Sequence, residues 1–465
     1  MMRKQITILK SEVLFSLAFV SFMFLVSCSD DVDDNVSSDL NLPVKVNTIH
    51  PSLGKYLETV TIEGENFGNN PQNLRVFFNK KQAEILEITN HQMLVRVPRL
   101  PGDECKIGVL SGGNTTDTVF CSQTFSYTKG YHLEYVCGQI GSSNRTFWEG
   151  KLSTMAFGEA MQWLACDDAG AVYLNEGMLG NEGTIALINE TRGYAKRLGG
   201  GDESSKGGQV LAPWYDVVTK KVYVCAAHRA YFWEIDPADD WSVVQRQVVA
   251  PDEEYIDKGY HTFDVENIQW CYSYVRCSDG YIYCRTYSGL LFRFKLEERV
   301  LDMVTELCPK SPVDSYICGD PEDPDKIYCS LKQKNIITCI DITKQPTDPD
   351  FEVVVCGIEG GGDFQDGNVT EAKLNEPSQI VVTRHPETNE KVIYICDSQN
   401  RRIREFNMET KNMTTIAGVG GGYGYSTGLA IESKMNYPTG ICLNPDGDLY
   451  IADRWNRVLL KLVFM

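Results

Sequence analysis

The side chains in this chain best suited to chemistry are flat rings and guanidinium groups set in turn-rich stretches. Trp148, Trp214, Tyr260 and His261 lie in or beside long polar segments at 138–160, 198–213 and 251–267, while Arg229, Tyr287, Arg454 and Trp455 lie in short turns between apolar runs. Indole and phenol rings stack on the apolar C–H faces of pyranoses, and Arg bonds sugar hydroxyls or carboxylates. These eight residues therefore form the candidate ligand-binding set, and a glycan is the ligand that suits them. Trp455 is the strongest candidate, because Gln399 stands in the equivalent turn one repeat earlier and the repeat itself demands no aromatic there. Convergence of Arg229, Arg401, Arg454 and Arg457 would favour an acidic sugar.

Residues for bond-making chemistry are sparse. The six histidines stand at positions 50, 91, 132, 228, 261 and 385, and no repeated acidic partner aligns with them. No HExxH or paired-carboxylate signature stands out, and the Gly-x-Ser-x-Gly run Gly424-Tyr425-Ser426-Thr427-Gly428 lacks the strand–helix setting of a nucleophile elbow. Asp397 and Asp453 each precede an Asn by three residues, a spacing that fixes turns through side-chain-to-backbone bonds. Gly360-Gly361-Gly362 and Gly420-Gly421-Gly422 lack the strand–helix setting of a phosphate loop. No catalytic residue, metal ligand or cofactor is assigned, and the chain reads as a non-enzyme. A formal net charge of −19 argues against nucleic acid as a partner. Of the 16 cysteines, Cys225, Cys284, Cys329, Cys396 and Cys442 sit inside apolar runs, as small buried hydrophobes do. Cys105 and Cys121 flank a hairpin and are the one disulfide the spacing suggests.

Residues 1–27 read as a signal peptide: basic Met1 to Lys10, then an apolar run from Val13 to Val26 too short to span a bilayer. The run ends in Leu25-Val26-Ser27-Cys28, which resembles a bacterial lipobox with Cys28 as the lipidation site. Several acyl chains on one Cys hold a protein stably to a bilayer, where a single chain is marginal. Residues 28–43 follow as an acidic tether, and Ser29-Asp30-Asp31-Val32-Asp33-Asp34 resembles the export signal of surface lipoproteins in glycan-foraging Gram-negative bacteria. The resemblance implies an outer-membrane, lipid-anchored protein facing the cell exterior.

The elements that must position the candidate residues are strands throughout, so the fold class is all-β. Residues 44–128 show short strand-like runs with turns between them, such as Thr59 to Ile62, Leu74 to Phe78 and Met93 to Val97. The turn Gly64-Glu65-Asn66-Phe67-Gly68, with Val97-Pro98 and Phe125-x-Tyr127, closely resembles the IPT/TIG immunoglobulin-like family over 44–127. Such domains are spacers or interaction modules.

Residues 131–465 carry a repeat. A branched or Leu residue followed by Tyr recurs at Tyr173, Tyr223, Tyr283, Tyr328, Tyr394 and Tyr450, roughly every 55 residues. Four short strands per unit, repeated six times, describe a six-bladed β-propeller. The last unit lacks an outermost strand while 132–137 stands as an orphan, so 132–137 is predicted to complete it and close the ring. Ile393 to Arg404, and Met435-Asn436-Tyr437-Pro438 leading to Asp453-x-x-Asn456-Arg457, resemble NHL repeats over 357–465.

Architecture and anchor together resemble the accessory glycan-binding lipoproteins of starch-utilisation-type systems. The resemblance implies non-catalytic binding of an extracellular polysaccharide or oligosaccharide on the propeller loop face, in partnership with a TonB-dependent transporter complex. A protein-interaction scaffold at the outer membrane is the alternative. A metal-dependent propeller lyase or hydrolase is the third reading, since several NHL-like propellers are such enzymes.

Overall fold

The computed structural model describes residues 42–99, 101–111, 118–141, 147–158, 161–176, 184–198, 210–226, 231–261, 271–307 and 314–465. Cys28, nearly all of the tether and Arg229 lie outside them.

The N-terminal module is a β-sandwich. Lys45–His50, Thr59–Glu65 and Gln92–Arg96 pair in one layer; Leu74–Phe78, Glu104–Ser111 and Thr118–Tyr127 pair in the other. Lys81–Ile88 pairs with both layers and joins them. Strict alternation places Val60, Ile62, Met93 and Val95 in its core. The Gly64–Gly68 turn needs its glycine: a Cβ on Gly64 would stand 2.0 Å from the Lys45 carbonyl and 2.4 Å from the Phe67 ring. The proposed disulfide does not form. The register pairs Cys105 with Phe125, so Cys121 lies further along the ladder, and both thiols are free and buried.

The remaining strands form six sheets, each of four antiparallel strands, with a two-residue fifth strand on three of them. In chain order the inner strands are Leu164–Cys166, Val210–Asp216, Tyr274–Arg276, Ser315–Gly319, Pro377–Arg384 and Pro438–Leu443. The recurring Tyr of each second strand is buried, with its ring in the apolar core between sheets. Its hydroxyl reaches polar groups at the sheet end, as Tyr173 does to Asp167 (2.9 Å) and Tyr283 to Asp279 (2.8 Å). An apolar body with a polar tip fits that position.

Tyr131–Gly138 is the outermost strand of the sixth blade, paired with Val458–Phe464 from Gly138 opposite Val458 to Tyr131 opposite Phe464. The ring is therefore closed by the expected segment. Gly138, Gly357 and Gly418 end the outer strands of blades six, four and five in the same way. All three have positive φ, and a Cβ on any of them would meet a carbonyl of the facing turn at 2.3–2.4 Å. Gly130 and Met465 exchange backbone bonds of 2.7 and 2.8 Å where the chain enters and leaves the ring.

The two modules touch. Arg99 of the sandwich pairs with Asp448 of blade six at 3.0 Å, and Lys129 bridges Asp103 (2.8 Å) and Glu387 of blade five (2.9 Å).

Candidate functional site

Where the inner strands begin, around the propeller axis, lies a cavity of about 140 Å³. Its wall is built where inner strands begin: Gln162 and Trp163 from blade one, Tyr272 from blade three, Asp314, Ser315 and Tyr316 from blade four, Pro377 and Ser378 from blade five, and Tyr437 and Thr439 from blade six. Ser330, Lys332, Ser398 and Arg454 add to it from the ends of second strands and the turns after them. Rings and hydroxyls dominate, with Trp163 and Tyr272 edge-to-face at 5.5 Å.

One side chain ties the blades together next to the cavity. Gln379, one residue beyond Ser378 along the fifth inner strand, is fully buried. Its carbonyl oxygen accepts from the Leu164 and Ile441 backbone N–H groups at 2.8 and 3.1 Å. Its amide donates to the Leu164 carbonyl at 2.6 Å and to the Tyr316 hydroxyl at 2.9 Å. Blades one, four, five and six are thus joined across the axis.

The loops themselves are pinned by acids at the ends of second strands. Asp397 accepts from the Asn375 N–H (2.8 Å), Asp453 from the Asn436 N–H (2.9 Å) and Glu176 from the Gly158 N–H (2.9 Å). Asn400 and Asn456 donate to Asp397 and Asp453 at 2.8 and 2.6 Å, the turn-fixing role expected of this spacing. Burial raises all three carboxyls, Asp453 to about 7 and Glu176 to about 8. Asp397 and Arg404 form a fully buried ion pair at 2.7 Å.

The eight candidate residues do not share one rim. Arg454 lines the axial cavity. Trp455 stacks on Tyr437 of its wall, ring centroids 4.3 Å apart and planes 11° from parallel, and remains 46% exposed. Tyr287 occupies the turn after the second strand of blade three and packs half-buried on the apolar core. The others lie elsewhere. Trp148, 60% exposed, bridges to Ala156 beside the outer edge of blade one. Trp214 belongs to the inner strand of blade two and packs on Tyr223 and Tyr274, so it is a strand residue and not part of the preceding loop. Tyr260 and His261 follow the helical turn Glu253–Asp257, whose N-cap is Asp252. That turn folds the segment against blade three, with Tyr260 bonded to Tyr281 at 2.9 Å and His261 to Asp302 at 3.1 Å. Arg229 lies outside the described residues.

Sequence reasoning missed Trp163, Tyr272, Tyr316, Tyr437, Ser315 and Gln379. Each lies at or just ahead of an inner strand, where aromatic and small residues read as core. Among the described residues, no group of three or more His, Cys, Asp or Glu has the geometry to hold a metal ion.

Fold and site define an immunoglobulin-like module joined to a closed six-bladed propeller with a ring-walled axial cavity. Residues 43–127 match the IPT/TIG domain and residues 435–457 the NHL repeat. The chain is 37% identical over 93 residues to human NHL repeat-containing protein 2, a stretch covering 20% of this chain and 12% of that protein. It is 29% identical over 94 residues to Protein SUPPRESSOR OF QUENCHING 1, chloroplastic, of Arabidopsis thaliana, covering 20% of this chain and 8% of that one. The matched stretch is thus a small part of these relatives' length. Solved structures resemble far more of it. An auxiliary nutrient binding protein from Bacteroides ovatus has a TM-score of 0.68 at 17% identity, covering 92% of this chain and 99% of its own. An auxiliary nutrient binding protein from Bacteroides thetaiotaomicron scores 0.60 at 20% identity, covering 92% and 99%. A candidate phosphatase from the same species scores 0.61 at 17% identity, covering 92% and 98%. At these identities the likeness is one of fold.

Proposed function

We propose that this chain is a non-catalytic binding protein that captures an extracellular polysaccharide or oligosaccharide at the axial mouth of the propeller. The observation that carries the reading is the cavity wall itself, where Trp163, Tyr272, Tyr316 and Tyr437 present rings among the hydroxyls of Ser315, Ser330, Ser378, Ser398 and Thr439. Rings suit the apolar faces of a sugar and hydroxyls suit its edge. Trp455, stacked on Tyr437, extends the platform outward. Likeness in fold to two auxiliary nutrient binding proteins supports a binding role. In this proposal acylated Cys28 anchors the chain at the outer-membrane surface, and the sandwich holds the propeller clear of it for delivery to a TonB-dependent transporter.

Affinity electrophoresis against a polysaccharide panel tests the binding. At least one glycan should retard the protein. Tyr437→Ala and Trp455→Ala should each weaken retention by about tenfold, equivalent to ~1.4 kcal/mol. Trp148→Ala, at the outer edge of blade one, should change it less than about twofold, well within ~0.5 kcal/mol. A protein that no glycan retards, or that loses retention only with Trp148→Ala, would refute the assignment. Detergent partitioning of Cys28→Ala checks the anchor, which predicts transfer from the detergent to the aqueous phase.

A further inference from the structure

Three polar atoms on the cavity wall are buried without any hydrogen-bond partner: Gln162 Oε1, Ser315 Oγ and Arg454 Nε. They come from three different blades, and Ser315 is 1% exposed. Buried polar groups are ordinarily satisfied, so three such orphans on one wall mark places where a ligand supplies the missing partners.

Their chemistry differs. Gln162 Oε1 only accepts and asks for a hydroxyl donor; Ser315 Oγ can do either. Arg454 Nε only donates, and it belongs to a group that stays charged. The other charged groups of the wall are already engaged. Tyr272 and Gln333 donate to Asp314, and Lys332 lies 3.5 Å from Glu376, which also accepts from Tyr437 at 2.6 Å. Among the described residues no carboxylate forms an ion pair with Arg454, and burial pushes its guanidinium below the usual range. Arg404, the other deeply placed guanidinium of blades five and six, is paired with both Asp397 and Asp366.

Resting on the glycan-binding reading, we propose that the axial cavity selects an anionic sugar, with the charged group of one residue on Arg454 and its hydroxyls on Gln162 and Ser315. A planar fork bonded to a carboxylate gives direction as well as charge, which a neutral sugar cannot use. Leaving the guanidinium unanswered would cost a neutral ligand the desolvation of that charge.

The test uses the whole protein in isothermal titration with polygalacturonate and alginate, each beside its carboxyl-reduced counterpart, and with a sulfated galactan. An acidic polymer should bind at least about tenfold tighter than its reduced form. Arg454→Gln should abolish that preference, so that the acidic and the reduced polymer bind this variant within about twofold of each other. Arg454→Lys should restore part of the preference, and equal melting temperatures of the three proteins exclude misfolding. Binding of the sulfated galactan alone assigns the charge to a sulfate ester; binding of a uronate polymer assigns it to a carboxylate. Equal affinity for acidic and reduced polymers, or an Arg454→Gln protein that keeps the preference, overturns this proposal while leaving glycan capture standing. A protein that binds none of them, and no neutral glycan of the panel above, overturns both.

Discussion

Asp397 and Asp453 occupy equivalent positions in successive blades and differ in one partner. Asp397 faces Arg404, whereas Leu460 stands at the corresponding place in blade six, so Asp453 relies on Asn436 and Asn456 alone. Glu176, the equivalent in blade one, accepts among the described residues from the Gly158 N–H. Burial therefore wins at both, raising Asp453 to about 7 and Glu176 to about 8. Unfolding returns these carboxyls to their ordinary value near 4. Between about pH 4 and pH 8 the folded chain holds the extra protons, so stability falls as pH rises through that window. Thermal melting should give a midpoint several degrees lower at about pH 8.5 than at about pH 5.5. In the double variant Asp453→Asn, Glu176→Gln the difference should shrink to a small fraction of that. A parent protein with equal midpoints would show that these carboxyls are ionised in the fold.

Gln379 does for the inner strands what the acids do for the loops. Replacing it with Met keeps the volume but strands the Leu164 and Ile441 N–H groups and the Leu164 carbonyl in a buried setting. Each orphaned group costs about 1–3 kcal/mol, so Gln379→Met should lose at least about 3 kcal/mol in urea unfolding. A loss under about 1 kcal/mol would mean the axis is held by ring packing alone. The same scale decides what the sequence could reveal. The Tyr of each second strand, the terminal-strand deficit and the Gly64–Gly68 turn are local and periodic, and period and turn chemistry are legible in a chain. The axial wall is not, because it is assembled from a few residues of each of five blades, and their aromatic character matches ordinary core. Long loops drew attention to Tyr260 and His261, yet a capped helical turn carries that segment back onto blade three. Cys105 and Cys121 failed as a pair for a similar reason: the bulge between Lys106 and Gly108 sets a register that spacing alone does not encode.

At the scale of the molecule, the ring is closed by residues more than 300 positions apart, and the closing strand is also the one that leaves the sandwich. Tyr131–Gly138 covers the open edge of Val458–Phe464, and the buried contacts of Leu133 and Cys137 join it to the apolar layers on either side of blade six. Tyr131 further bonds Tyr394 of blade five at 2.6 Å. The sandwich, by contrast, meets the propeller through the ion pairs Arg99–Asp448 and Lys129–Glu387, each with one member 43% exposed and so worth little in water, and through Tyr56 set edge-on to His132. Two truncations separate these roles. A chain beginning at residue 129 keeps every strand of the ring and should melt cooperatively within a few degrees of the parent, roughly what losing weak surface pairs entails. A chain beginning at residue 139 loses the closing strand, exposes an unpaired edge beside the apolar face of Val458–Phe464, and should unfold well below it or aggregate on purification. Size-exclusion chromatography with calorimetry of the two tells them apart, and similar behaviour of both would mean that five blades and three strands of a sixth are enough to hold the circle.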